Sequence, residues 1–156
     1  MNYVNKHSKV LICIILLISV LFILIFSQNK SKETTAKTTF GLEQFKTNMK
    51  AKNYKFELKD VQKDILPATR EKMIIGKESI YIYLYSSNKE VEEDAKRIVN
   101  DGSAYENGNK SVQISWASQP YFYKKGNIIV LYVGVNEKII SDLKDILGEQ
   151  FAGYKL

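Results

Sequence analysis

Val10 through Phe26 is an unbroken run of 17 residues in which Ser19 is the only polar side chain, and it decides how much of this chain can fold in water. A run of that kind belongs in hydrocarbon or is removed during export. A secretory cleavage site wants small residues at −3 and −1, whereas Ile25, Phe26 and Ser27 place a bulky aliphatic at −3. A lipoprotein cysteine would follow the run, whereas Cys13 sits near its start. The pattern therefore reads as a cytoplasmic leader over 1–9, an uncleaved transmembrane anchor over 10–27, a Lys/Ser/Thr-rich flexible stalk over 28–39 and a folding domain over 40–156. At ~1.5 Å per residue the run covers about 25 Å, enough for a ~30 Å core once Ser27 and snorkelling lysines are included. A short leader is retained in the cytoplasm and a long following domain crosses largely regardless of charge. The expected location is the cell membrane, single-pass, with the C-terminal domain extracytoplasmic.

The net charge of +6 invites a nucleic-acid reading until it is divided along the chain. Residues 1–39 carry Lys6, Lys9, Lys30, Lys32 and Lys37 against Glu33, a balance of +4, and residues 40–156 carry only +2. Binding a polyanion requires concentrated positive charge that displaces counterions, and here the excess flanks the apolar run. No nucleic-acid partner is expected. The single cysteine, Cys13, and the single histidine, His7, both lie outside 40–156. Thiol catalysis, histidine triads, thiolate zinc sites and internal disulfides are thereby excluded from the domain, and no cofactor is implied. Carboxylates, lysines, hydroxyls and tyrosines are what remains for chemistry.

Within the domain, Leu42, Phe45 and Met49 recur at helical spacing and predict a helix over about 40–52. Tyr54, Phe56 and Leu58 alternate as a strand. Met73 to Ile75 and Ile80 to Tyr85 flank Gly76-Lys77, and Tyr121 to Tyr123 and Ile128 to Val133 flank Gly126-Asn127. A two-residue link opening with glycine is a type II′ hairpin signal. Ser87 and Glu90 form a capping box before a helix whose apolar residues run through Ile98 to a stop at Asp101-Gly102. Ser103 to Lys110 reads as a loop, and Val112, Ile114 and Trp116 as a strand with Trp116 in the core. Asn136 caps a last helix with an apolar stripe from Ile139 to Leu147. Hairpin-joined strands with three helices imply an α+β fold, a largely antiparallel sheet of about five or six strands with helices on one face.

Two segments divide their residues by parity. Ile80, Ile82 and Leu84 alternate with Tyr81, Tyr83 and Tyr85; in the second hairpin the two-residue link sets Phe122 opposite Leu131, Tyr123 opposite Val130 and Tyr121 opposite Tyr132, so that one face collects Phe122, Ile129, Leu131 and Val133 and the other Tyr121, Tyr123, Val130 and Tyr132. The economical expectation is an aliphatic face beneath the helices and a second face paved with tyrosines. Tyr81, Tyr83, Tyr85, Tyr121, Tyr123 and Tyr132 are then the candidate ligand or partner contacts, rings serving as anchors and hydroxyls as orienting groups. The alternative is that tyrosine merely favours strands, or that the 40–52 helix covers this face. Other features are weaker. Glu90, Glu92, Glu93 and Asp94 occupy the first turn of a helix, where the macrodipole favours them. Asp101 to Asn109 lacks calcium-loop spacing, so no metal site is expected. The acidic residues select no catalytic pair.

The segments Pro120-Tyr-Phe-Tyr-Lys-Lys-Gly-Asn-Ile-Ile-Val-Leu-Tyr-Val-Gly134 and Ile146-Leu-Gly-Glu-Gln-Phe-Ala-Gly153, with the anchor and the Lys, Ile and Asn richness, give the chain a resemblance. It resembles a group of small uncharacterised membrane-anchored or lipoprotein-like extracytoplasmic proteins of low-GC Gram-positive bacteria. The resemblance spans most of residues 54–153, implies an extracytoplasmic bacterial protein and brings no catalytic residues. The chain departs from the lipoprotein members in lacking a lipobox.

The function expected is a membrane-anchored extracytoplasmic binding or regulatory domain without catalytic activity. Its partners are the lipid bilayer through residues 10–27 and a membrane or cell-wall protein, a peptide or a glycan. Two alternatives stay open: a carboxylate-dependent cell-envelope hydrolase, and an accessory subunit whose anchor pairs with another membrane helix.

Overall fold

Strands that read as unbroken apolar runs rather than alternating ones must be covered on both sides, and β7 (Ile128–Val133) is such a strand, buried along nearly its whole length. The computed structural model describes residues 39–155. The expected leader over 1–9, the anchor over 10–27 and the stalk as far as residue 38 lie outside the described residues. Among the described residues no helix is long and apolar enough to cross a membrane.

The elements before β7 are α1 (Leu42–Ala51), β1 (Glu57–Val61), β2 (Thr69–Ile75), β3 (Glu78–Leu84), α2 (Asn88–Ala95), β4 (Ala104–Asn107), β5 (Lys110–Gln113) and β6 (Pro120–Lys125). After it come α3 (Glu137–Leu147) and the short β8 (Ala152–Gly153). Six strands form one sheet in the order β1-β2-β3-β7-β6-β8, while β4 and β5 pair separately. Every pairing is antiparallel, so the α+β class and the antiparallel sheet stand.

Both glycine-led links make two-residue hairpins, closing Ile75 on Glu78 and Lys125 on Ile128. Gly76 and Gly126 have φ of 60° and 57°, while Lys77 and Asn127 stay out of the positive-φ region, as type II′ turns require. At Gly126 the choice is also steric, because an added Cβ would overlap the Phe40 carbonyl oxygen.

The expectation of helices on one face is overturned. α1 and α3 lay Phe45, Met49, Ile139, Leu143, Ile146 and Leu147 against Met73, Ile80, Ile82 and Val130 on one side. α2 lays Val91 and Ala95 against Tyr83, Phe122, Ile129 and Leu131 on the other, joined by Leu66, Ala68, Ile98 and Tyr105. The domain is therefore three layers deep around its sheet.

Other boundaries shift for local reasons. α2 stops at Ala95, short of Asp101-Gly102, because Arg97 and Ile98 donate to carbonyls three residues back and Ile98 then bridges to Tyr105. The segment expected as a loop from Ser103 contains β4. β5 ends at Gln113, every residue in it is exposed, Val112 is 49% exposed, and Trp116 lies beyond it, half-buried rather than in a strand core.

Candidate functional site

Antiparallel partners directly opposite each other share a face, and the β3–β7 register sets Ile80 against Tyr132 and Tyr81 against Leu131. The aliphatic side of β3 therefore meets the tyrosine side of β6 and β7. Tyr81, Tyr83 and Tyr85 lie beneath α2 and the 62–68 segment, and Tyr121, Tyr123 and Tyr132 lie beneath α1 and α3. The single tyrosine-paved face does not form. Tyr83, Tyr121, Tyr123 and Tyr132 are at most 1% exposed, and Tyr81 and Tyr85 are half-buried.

Each buried ring needs a partner for its hydroxyl, and the sequence supplies one. Tyr83 donates to Asp64 Oδ1 at 2.9 Å, Tyr121 to Gln119 Oε1 at 2.8 Å and Tyr123 to the Ile140 carbonyl at 3.4 Å. Tyr132 donates to Glu78 Oε2 at 2.8 Å and accepts from the Asn136 N–H at 3.1 Å, tying β3 to the start of α3. Tyr81 instead carries the Arg70 guanidinium 5.0 Å and the Lys72 ammonium 5.7 Å from its ring centre. Burial pushes the Tyr123 phenol up to about 12. Burial, with a lesser contribution from Glu78, does the same for Tyr132 against the opposing Asn136 N–H. Burial raises Tyr83 and Tyr85 further, Tyr85 also through the neighbouring Asp94 carboxylate. These six residues hold the layers together.

Among the described residues two carboxylates are buried, Asp94 on α2 and Asp142 on α3. Asp94 accepts from Arg97 Nη1 at 2.8 Å, Tyr105 at 2.9 Å and Tyr85 at 3.0 Å, which fastens the β4–β5 hairpin to α2. Asp142 accepts from Lys138 Nζ at 2.5 Å and Tyr54 at 2.8 Å, with Lys52 Nζ 3.1 Å away. Desolvation would raise its carboxyl, but the combined donors outweigh it and hold the group down at about 2. The two helices pack on opposite faces of the sheet, so these two acids do not form the facing pair that glycoside hydrolysis uses. Among the described residues no group of three or more acidic, His or Cys side chains is placed to hold a metal ion.

A different place has the form of a binding site. At the Pro120 end of β6, a cleft of about 600 Å³ is lined by Asn100, Asp101, Trp116, Ser118, Gln119 and Tyr154, with Pro120, Gly153 and Lys155 completing it. Its two aromatic walls are fixed from behind. Trp116 donates its indole N–H to the Gly102 carbonyl at 2.8 Å and stands edge-to-face on Phe122, ring centres 5.8 Å apart. Tyr154 donates its backbone N–H to the Pro120 carbonyl at 2.7 Å and stands edge-to-face on Tyr121 at 6.2 Å, the residue remaining 43% exposed. Tyr121 in turn stacks on Tyr132 at 6.3 Å. Gly153 lets β8 approach so closely, since its φ is 110° and a Cβ would overlap the Pro120 oxygen.

No family model, curated protein or solved structure matches this chain.

The cleft presents two preorganised rings, the Asn100 and Gln119 amides, the Ser118 hydroxyl, and one acid and one base in Asp101 and Lys155. Asp101 accepts from the Ser103 N–H at 2.9 Å, and that bond holds its carboxyl below the usual range. A second cavity of about 490 Å³, lined in part by Gln119, Tyr121, Val135 and Ile140, adjoins it across Gln119. Of the six sequence candidates only Tyr121 borders this region. Trp116 and Tyr154 carried no periodic signal that could mark them as a pair; each follows a strand by a residue or more, and only the tertiary contact of β8 with β6 brings them together.

Proposed function

We propose that residues 40–156 form a non-catalytic binding domain, displayed outside the cell on the anchor at 10–27, and that its ligand seat is the Trp116–Tyr154 cleft. The observation that carries this reading is the pairing of two exposed-edge aromatics whose rings are locked from behind. Rings fixed before binding lose little conformational entropy on contact, which is how a modest surface gains affinity. Within the domain, Phe40 accepts from the Asn127 N–H at 2.8 Å, at the opposite end of β6 and β7 from Pro120, so the start of α1 and the cleft lie at opposite ends of that hairpin.

Hydrogen exchange on the full-length chain tests this, with and without envelope fragments from the cells that make it. Slowed exchange is expected at 100–103, 116–120 and 152–155, with α1 unchanged. Protection confined to α1 and β1, or none at all, would refute the assignment of the cleft.

A further inference from the structure

Resting on the binding reading, the chemistry of the cleft goes further and selects a ligand class: we infer that it takes a short stretch of an uncharged or N-acetylated glycan chain. Three features narrow the choice. The first is charge. Asp101 and Lys155 balance, so the lining offers no net field for an anionic polymer, which would need a concentration of basic groups. The second is the mixture of surfaces. A sugar ring has C–H faces that pack on flat aromatic rings and hydroxyl edges that need both donors and acceptors. Trp116 and Tyr154 provide the first, and the amides of Asn100 and Gln119 with the Ser118 hydroxyl provide the second. Gln119 is oriented for this, because its Oε1 is occupied by the Tyr121 hydroxyl at 2.8 Å.

The third feature is the backbone. An extended peptide binds most readily by adding a strand to a free edge. Here the outer edge of β8 is already taken, since the Gly153 N–H donates to the Asn100 carbonyl at 2.9 Å, and β8 has only two residues. The cleft's volume of about 600 Å³ suits a small number of rigid rings rather than an amphipathic helix.

The chain contains a single tryptophan, so Trp116 emission reports on the cleft without labelling. The experiment titrates the full-length protein in mild detergent with chitotetraose, cellotetraose, polyglutamate and a pool of extended apolar hexapeptides. A saturable change with one or both oligosaccharides, weakened about tenfold or more by Tyr154→Ala and kept by Tyr154→Phe, is the expected result. Tyr154 is partly exposed, so its replacement leaves the fold in place, which far-UV circular dichroism checks. Saturation by the hexapeptides or polyglutamate alone overturns the glycan assignment while leaving a binding cleft. Silence with all four probes overturns the glycan assignment as well, and the exchange footprint on envelope fragments then decides separately whether the cleft binds anything.

Discussion

Replacing Asp94 probes whether the polar cluster beneath α2 is a fastening or a site. The residue is 3% exposed and its carboxylate accepts three hydrogen bonds, two at Oδ1 and one at Oδ2. Asp94→Asn keeps the shape and one acceptor oxygen. What it loses is the added strength of bonds to a charged acceptor, about 1 kcal/mol each, reduced for Arg97 because that side chain is partly in water. The expected cost is about 2 kcal/mol. Asp94→Ala removes the acceptor altogether. Tyr85 can turn towards solvent, but Tyr105 is 6% exposed and its hydroxyl keeps only the longer 3.3 Å contact with Arg97, so the cost rises to about 4 kcal/mol. Against a typical total of 5–15 kcal/mol both losses are measurable, and each kcal/mol lowers Tm by about 4 °C in a domain of this size. Urea unfolding followed by Trp116 emission, with thermal melts beside it, gives both numbers. If Asn and Ala cost the same, or if either costs under about 0.5 kcal/mol, the hydrogen-bond reasoning fails.

Other outcomes follow from the same structure. The Asp142 carboxyl is held at about 2 when folded, below its ordinary value of 3.8, so its contribution is present above that value and disappears as pH falls from about 4 towards 2. Comparing acid melts of wild type and Asp142→Asn should show the difference closing over that window, with about 1–2 kcal/mol separating them at neutral pH. Tyr123 and Tyr132 have raised phenols, so the stability they confer is intact below about 10 and lost as pH climbs through about 12. The part of the phenolate absorbance that belongs to these two buried rings should therefore rise late and together with unfolding; its appearance ahead of unfolding would contradict their burial. Gly153→Ala should shift the β8–β6 pairing, at a cost of about 1–3 kcal/mol, and alter Trp116 emission, whereas Gly108→Ala, with open space around its Cβ position, should leave that emission unchanged.

Local chemistry was legible where it is short-range. The Gly76-Lys77 and Gly126-Asn127 links, the Ser87 and Asn136 caps and the β6–β7 register all follow from neighbours in sequence and are as expected, except that the Glu90 carboxylate takes the Ser86 N–H where a capping box would have it take that of Ser87. What failed was the relation between the two hairpins. Parity assigns faces within a hairpin, but a one-residue choice in the β3–β7 pairing decides which side of one matches which side of the other. The sheet chose Ile80 opposite Tyr132, a contact made across more than fifty residues of chain. A warning was present in β7 itself, since Ile128 to Val133 offers no polar group for a wet face beyond the Tyr132 hydroxyl. The cleft was less legible still, because Trp116 lies in irregular chain and Tyr154 joins it only through a two-residue strand.

Both ends of the β6–β7 pair are closed by chain from elsewhere in the sequence: the Phe40 carbonyl takes the Asn127 N–H at the turn, and the Pro120 carbonyl takes the Tyr154 N–H at the other end. Fraying of this central ladder must therefore first displace the start of α1 or the end of β8, which makes the opening of either segment the early step of any local unfolding there.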